Sequence, residues 1–133
     1  KLRDTIRRMK ICEKRGSGVA RAIFAIELSQ LHAPNIENQE NDGVRVTLYA
    51  QKPLSKLTQE EQCRACYFHS CIQHVIEQDG LTNASLCKRF GIEEQNKAIA
   101  SRIIKKTLAK RWIKPFDPEN RSNRYAKYVP YWV

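Results

Sequence analysis

Apolar positions along the chain change period several times, and the changes outline its elements. Leu81, Leu86, Phe90, Ile92, Ile99, Ile103, Ile104 and Leu108 recur at helical spacing, interrupted at Gly91. This pattern predicts two short helices joined by a tight turn, a helix-turn-helix. Thr82 is a good N-cap for the first, Leu81 before it can act as a staple, and Gly91 ends that helix after Phe90. The second begins near Glu93 or Glu94 and runs to about Lys110. At about 100° per residue, Asn96, Ile99, Ala100, Ile103, Ile104, Thr107 and Leu108 turn toward a core, and Gln95, Ala98, Ser101, Arg102, Lys105 and Lys106 turn away from it.

Upstream, Thr58 followed by Glu61 forms a capping-box pattern at the start of a longer helix. It is expected to run to about Gln78, to bury Ala65, Phe68, Ile72, Val75 and Ile76, and to end at Asp79-Gly80. After the helix-turn-helix, residues 112–114 predict a short strand, 117–123 a turn-rich loop, and 124–131 a returning strand. Three helices backed by a β-hairpin make a winged helix, with Arg121, Arg124 and Lys127 in its wing. Tyr128, Tyr131 and Trp132 are expected to pack against a core or a partner.

The first part of the chain is organised differently. Residues 2–9 predict a short basic helix, and Gly16-Ser17-Gly18 a turn. A helix begins at Ser17 or Gly18, carries Val19, Ile23, Ile26, Leu28 and Leu31, and stops at Pro34. Residues 35–43 read as a polar loop. Val44, Val46, Leu48 and Ala50 then alternate along a strand that lacks an obvious partner, so it is either an edge of a missing sheet or a site of homodimer pairing. Pro53 breaks that strand, and 52–57 is the linker. The expected division is 1–52 and 53–133, in an α+β chain whose winged helix follows a helix-helix-strand remnant.

The segment Arg7-Arg8-Met9-Lys10-Ile11-Cys12-Glu13-Lys14-Arg15-Gly16-Ser17-Gly18-Val19, with the helix and strand after it, resembles the end of the ATPase-like domain of bacterial RecG-related helicase-like proteins and transcriptional regulators. The stretches Thr82-Asn83-Ala84-Ser85-Leu86 and Tyr125-Ala126-Lys127-Tyr128 share the resemblance. Such proteins are assembled from an AlbA-like, Schlafen-type domain, a divergent GHKL ATPase-like module and a C-terminal winged helix. The resemblance implies that Gly16, Ser17 and Gly18 form the turn after the nucleotide lid, where backbone N–H groups meet phosphate. It also implies ATP as a cofactor of a full-length parent and none for this fragment, because the GHKL residues that hold adenine and magnesium would precede Lys1. A phosphate loop of the Gly-x-x-x-x-Gly-Lys-Ser/Thr type is absent from the sequence. The chain therefore reads as a non-enzymatic piece of a longer protein.

Charge sharpens the picture. The 133 residues carry a formal charge of +10, with a pI near 9.6. From Gln95 to Lys114 the chain holds no acid. The expected partner is double-stranded DNA: Gln95 and Arg102 to base edges, small Ala98 and Ser101 allowing close approach, and Lys105, Lys106 and Lys110 to the backbone. The basic wing would serve phosphate or the minor groove. The alternative is an interaction or dimerisation module using the 44–50 strand. No apolar run reaches the roughly 18 residues that span a bilayer, so no membrane is expected.

Five cysteines, an odd number, fit a reducing cytoplasm better than a disulfide framework. Cys63, Cys66, Cys71, His69 and His74 lie close enough in sequence to invite zinc. On one helix the three thiols point in different directions, so the expectation is buried thiols and no metal. His69 is expected to face the core.

Overall fold

The computed structural model describes residues 18–32, 34–40, 43–119 and 126–133. The expected helix at 2–9, together with Cys12, Gly16, Ser17, Arg121 and Arg124, lies outside the described residues. Those described form an α+β structure of four helices and two small antiparallel hairpins. In chain order these are α1 (Gly18–Leu28), β1 (Asn35–Asn38), β2 (Val44–Thr47), α2 (Gln59–Val75), α3 (Asn83–Phe90), α4 (Lys97–Ala109), β3 (Ile113–Pro115) and β4 (Tyr128–Pro130). Single 3-10 turns at Leu54–Lys56 and Glu94–Asn96 precede α2 and α4.

Local chemistry sets the ends of these helices. Thr58 Oγ1 accepts from the Glu61 N–H at 3.2 Å, and the Glu61 carboxylate accepts from the Thr58 N–H at 2.7 Å, so both orphan donors are satisfied. That backbone hydrogen bond, helped by Lys52 and His32 against the cost of burial, brings the Glu61 carboxyl down to about 2. Thr82 and Ser85 form a second reciprocal box at the start of α3. Gly91, at φ 63°, closes α3 in the left-handed conformation, and the Ile92 N–H reaches back to the Cys87 carbonyl at 2.8 Å.

The core gathers where α2, α3, α4 and β3 meet: Cys66, Leu81, Leu86, Cys87, Ala100, Ile103, Ile104 and Ile113. On α4 the buried positions are Ala100, Ile103, Ile104 and Thr107, with Ile99 and Leu108 half-buried. Thr107 donates its hydroxyl to the Ile103 carbonyl at 2.8 Å, which lets a polar side chain sit in this layer. Asn96, expected on the core side, is exposed because it belongs to the 3-10 turn and not to the helix wheel.

Several expectations are corrected. Helix α2 ends at Val75, short of Gln78, and Gln78 is left-handed at φ 52°. Val75 and Ile76 are about half exposed because the helix unwinds there, past its last buried position at Ile72. Cys63 and Cys66 take the inner face instead, and burial pushes the Cys66 thiol up to about 12. Helix α1 stops at Leu28, well before Pro34. Gln30 turns left-handed at φ 56°, and the Leu31 N–H closes onto the Ile26 carbonyl. Nor is the Val44 strand unpaired: Asn35 faces Thr47 and Asn38 faces Val44 in an antiparallel hairpin. Asn-Ile-Glu-Asn shows no alternation, but ladder hydrogen bonds come from the backbone, which every residue here supplies.

Strands β3 and β4 pair with Ile113 opposite Pro130 and Pro115 opposite Tyr128. Leu81 adds a bridge, exchanging both backbone hydrogen bonds with Tyr128 at 2.7 and 2.9 Å. Gly80 makes this approach possible: a Cβ there would lie 2.9 Å from Lys127 Cβ and 3.2 Å from the Tyr128 carbonyl oxygen. Gly80→Ala should therefore lower stability by about 1 to 3 kcal/mol, as overpacking does, with the largest effect on the 113–130 hairpin. Urea unfolding with hydrogen exchange at Leu81 and Tyr128 reads both. Tyr131 stacks on Tyr67 with centroids 6.2 Å apart, and Trp132 meets the His74 ring edge-on at 5.7 Å. Both keep about half their surface in solvent.

Candidate nucleic-acid interface

The outer face of α4 and the turn before it present Gln95, Ala98, Ser101, Arg102, Lys105 and Lys106, all exposed. Their inward neighbours anchor the helix, so the outward set is held on a rigid element. Within it the side chains differ in what they already hold. Arg102 donates Nε to the Ala98 carbonyl of its own helix at 3.4 Å and makes no ion pair among the described residues. Lys105 likewise has no acid partner among them.

The remaining cations are tethered. Lys106 donates to the Gln59 side-chain oxygen at 3.0 Å, a neutral partner that leaves its charge uncompensated. Lys110 pairs with Glu60 at 2.7 Å and lies over the Trp112 ring at 4.9 Å. The hydrogen bond from Lys110 holds the Glu60 carboxyl below its usual range. At the base of the second hairpin Lys127 pairs with Asp79 at 2.6 Å. Exposed ion pairs contribute little, so these lysines can exchange a carboxylate for a phosphate at small cost.

Ser101 has a different job. Its hydroxyl accepts from Asn83 Nδ2 at 2.8 Å and points back at the Lys97 carbonyl at 3.4 Å. Asn83 also donates to that carbonyl at 3.2 Å, so the first turn of α3 is clamped to the first turn of α4. Asn83 is a positioning residue that helical periodicity cannot reveal. Among the described residues, acids stand at the two ends of the face: Glu93 accepts from Gln95 at 2.5 Å and Glu94 pairs with Lys97 at its entrance, and Glu60 holds Lys110 at its far end.

One further arrangement bears on this module. Arg89, on α3, reaches across to α1 and donates Nε and Nη2 to the two oxygens of Glu27 at 2.5 and 3.1 Å. Nη1 and Nη2 also meet the carbonyls of Gln30 and Leu31 at 3.5 and 3.3 Å. Both side chains are buried. Burial pushes the Glu27 carboxyl up, while the hydrogen bond and charge of Arg89 pull the other way. Nearby, His32 Nε2 lies 2.9 Å from the Glu61 carboxylate, which accepts from Lys52 at 3.2 Å.

Residues 1–48 match the family model described as "Putative ATP-dependent DNA helicase recG C-terminal". No curated protein and no solved structure matches the chain. The described part of the matched segment is α1 with the β1–β2 hairpin, and its grip on the helices that follow is the Glu27–Arg89 pair with the His32–Glu61 contact. Gly18, expected in the phosphate-binding turn, is the exposed first residue of α1.

The thiols and imidazoles near Cys63 do not converge, and no group of His, Cys, Asp and Glu suited to a metal occurs among the described residues. His69 is mostly buried, and its Nε2 has no hydrogen-bond partner among the described residues. Burial, then the Arg89 charge, bring its pKa down to about 4 against a hydrogen bond to the Ser85 backbone. None of the described helices is long and apolar enough to cross a membrane.

Proposed function

We propose that this chain is the DNA-binding region of a bacterial regulator related to RecG-like proteins, that α2–α4 with the β3–β4 hairpin act as a winged helix, and that α4 is its recognition helix. The observation that carries the reading is the outer face of α4, to which the helix contributes no acid and on which Arg102 and Lys105 have no carboxylate partner among the described residues, on a helix anchored by Ala100, Ile103, Ile104 and Thr107. Ala98 gives the helix a low profile for groove entry, Gln95 and Arg102 suit base edges, and Lys105, Lys106 and Lys110 suit phosphates. In this reading Arg121, Arg124 and Lys127 extend the phosphate contacts from the wing.

Duplex DNA titrated at about 50 and 200 mM salt should lose roughly a hundredfold in affinity if about four phosphates are neutralised. Arg102→Ala with Lys105→Ala should reduce the salt slope by about two and leave the fold intact, since neither residue packs in the core. Equal binding by the double variant would remove this face from the reading.

A second reading rests on β2. Val44 and Val46 keep more than half their surface exposed on a two-stranded hairpin, which suits addition of another strand or a second copy of the chain. Light scattering of the chain against Val44→Lys with Val46→Lys separates a dimer made there from a monomer.

A further inference from the structure

A groove of about 600 Å³ runs beside the recognition helix, between the Leu54–Lys56 turn, the end of α3 and the first turns of α4. Its floor is apolar: Leu54, Phe90, Ile92 and Ile99 are all half-buried and pack on the core while leaving one side toward the groove. Arg102 and Lys106 stand at its rim. Neither has a carboxylate partner among the described residues, and Lys106 is held by a neutral amide. Among the described residues the one acid in the lining is Glu93, which is engaged by Gln95 at 2.5 Å.

We infer that this groove binds a small apolar carboxylate, its hydrocarbon against Leu54, Phe90, Ile92 and Ile99 and its carboxylate between Arg102 and Lys106. The volume is in the range that takes a small organic ligand. An apolar floor supplies affinity without direction, and two cations beside it select charge, with the planar guanidinium of Arg102 suited to bidentate contact with a carboxylate. A neutral ligand of the same shape leaves both cations unanswered. Arg102 is also the residue through which α4 is proposed to meet DNA, so acid and DNA exclude each other. That exclusion rests on the proposed DNA reading, whereas binding of the acid does not.

Decanoate is the probe, with decanol as its uncharged counterpart. Calorimetry should show one decanoate per chain, and Arg102→Ala or Lys106→Ala should each weaken it about tenfold. Decanol should bind more weakly and be indifferent to both substitutions. Decanoate should also displace duplex DNA in a fluorescence-anisotropy competition. Absence of binding, equal binding of decanol, or affinity untouched by Arg102→Ala would overturn the site. Binding without displacement would overturn the exclusion. If the chain fails to bind DNA at all, calorimetry still decides the site, so the two readings fail separately.

Discussion

Arg89→Met is expected to destabilise the folded chain by about 3 to 5 kcal/mol, the range found when one partner of a buried ion pair is removed. Glu27 is 4% exposed and Arg89 9%. The substitution strands a buried carboxylate and takes hydrogen bonds from the carbonyls of Gln30 and Leu31 as well. Against a typical domain stability of about 5 to 15 kcal/mol this is a large fraction. Glu27→Leu alone should also destabilise, because it leaves the guanidinium buried without its counterion. Combining Glu27→Leu with Arg89→Met should recover most of the loss, since two apolar side chains of similar volume often match a buried pair. Urea unfolding of the four proteins closes the cycle. A cost below about 1 kcal/mol for Arg89→Met would mean that the pair is solvated and that α1 is not fastened to α3 through it.

Acidification should destabilise the chain through His69. Its pKa in the folded protein is about 4, against 6.5 for the free side chain. Between those values the unfolded chain takes up a proton that the folded chain refuses, so stability falls as pH drops from 6.5 toward 4. At 1.36 kcal/mol per unit the loss is on the order of 3 kcal/mol. Glu27 works in the opposite sense, because burial raises its pKa and protonation relieves that burden as the solution becomes acid. Glu61, brought down to about 2, stabilises the fold above its ordinary pKa and gives that up only at lower pH. His69→Gln isolates the histidine: the slope of stability between pH 6.5 and 4 should flatten in the variant while the Glu27 and Glu61 contributions stay. Thermal melts across that range read the difference, and parallel pH profiles for the two proteins would clear His69 of the role.

Legibility in sequence followed interaction range. The capping box of Thr58 with Glu61, the N-cap at Thr82, the stop at Gly91 and the inner and outer faces of α4 were all visible, because each depends on residues within about two helical turns of one another. Ala98, Arg102, Lys105 and Lys106 emerged on the outer face for the same reason. What that pattern concealed was occupancy: Ser101 is held by Asn83, and Lys110 by Glu60, from helices that the wheel of α4 does not contain. Asn35–Asn38 escaped notice because a polar strand pairs through its backbone and leaves no apolar alternation to read.

Sequence alone was enough for the caps of α2 and α3 at Thr58 and Thr82, for the way α3 ends, and for the run of cations without an acid from Gln95 to Lys114. It was not enough for the start of α4, which lies at Lys97, past the predicted Glu93 or Glu94, because Glu94–Asn96 forms a 3-10 turn. Tertiary structure alone decided that Glu27 is a buried residue whose partner lies on α3, that Asn83 fixes the crossing of α3 and α4, and that Val75 and Ile76 stay in solvent. Propensity and periodicity act along the chain, where neighbours are given by number. The partner of a buried charge and the limit of an apolar face depend on which segments meet in space, and that is set only when the layers pack.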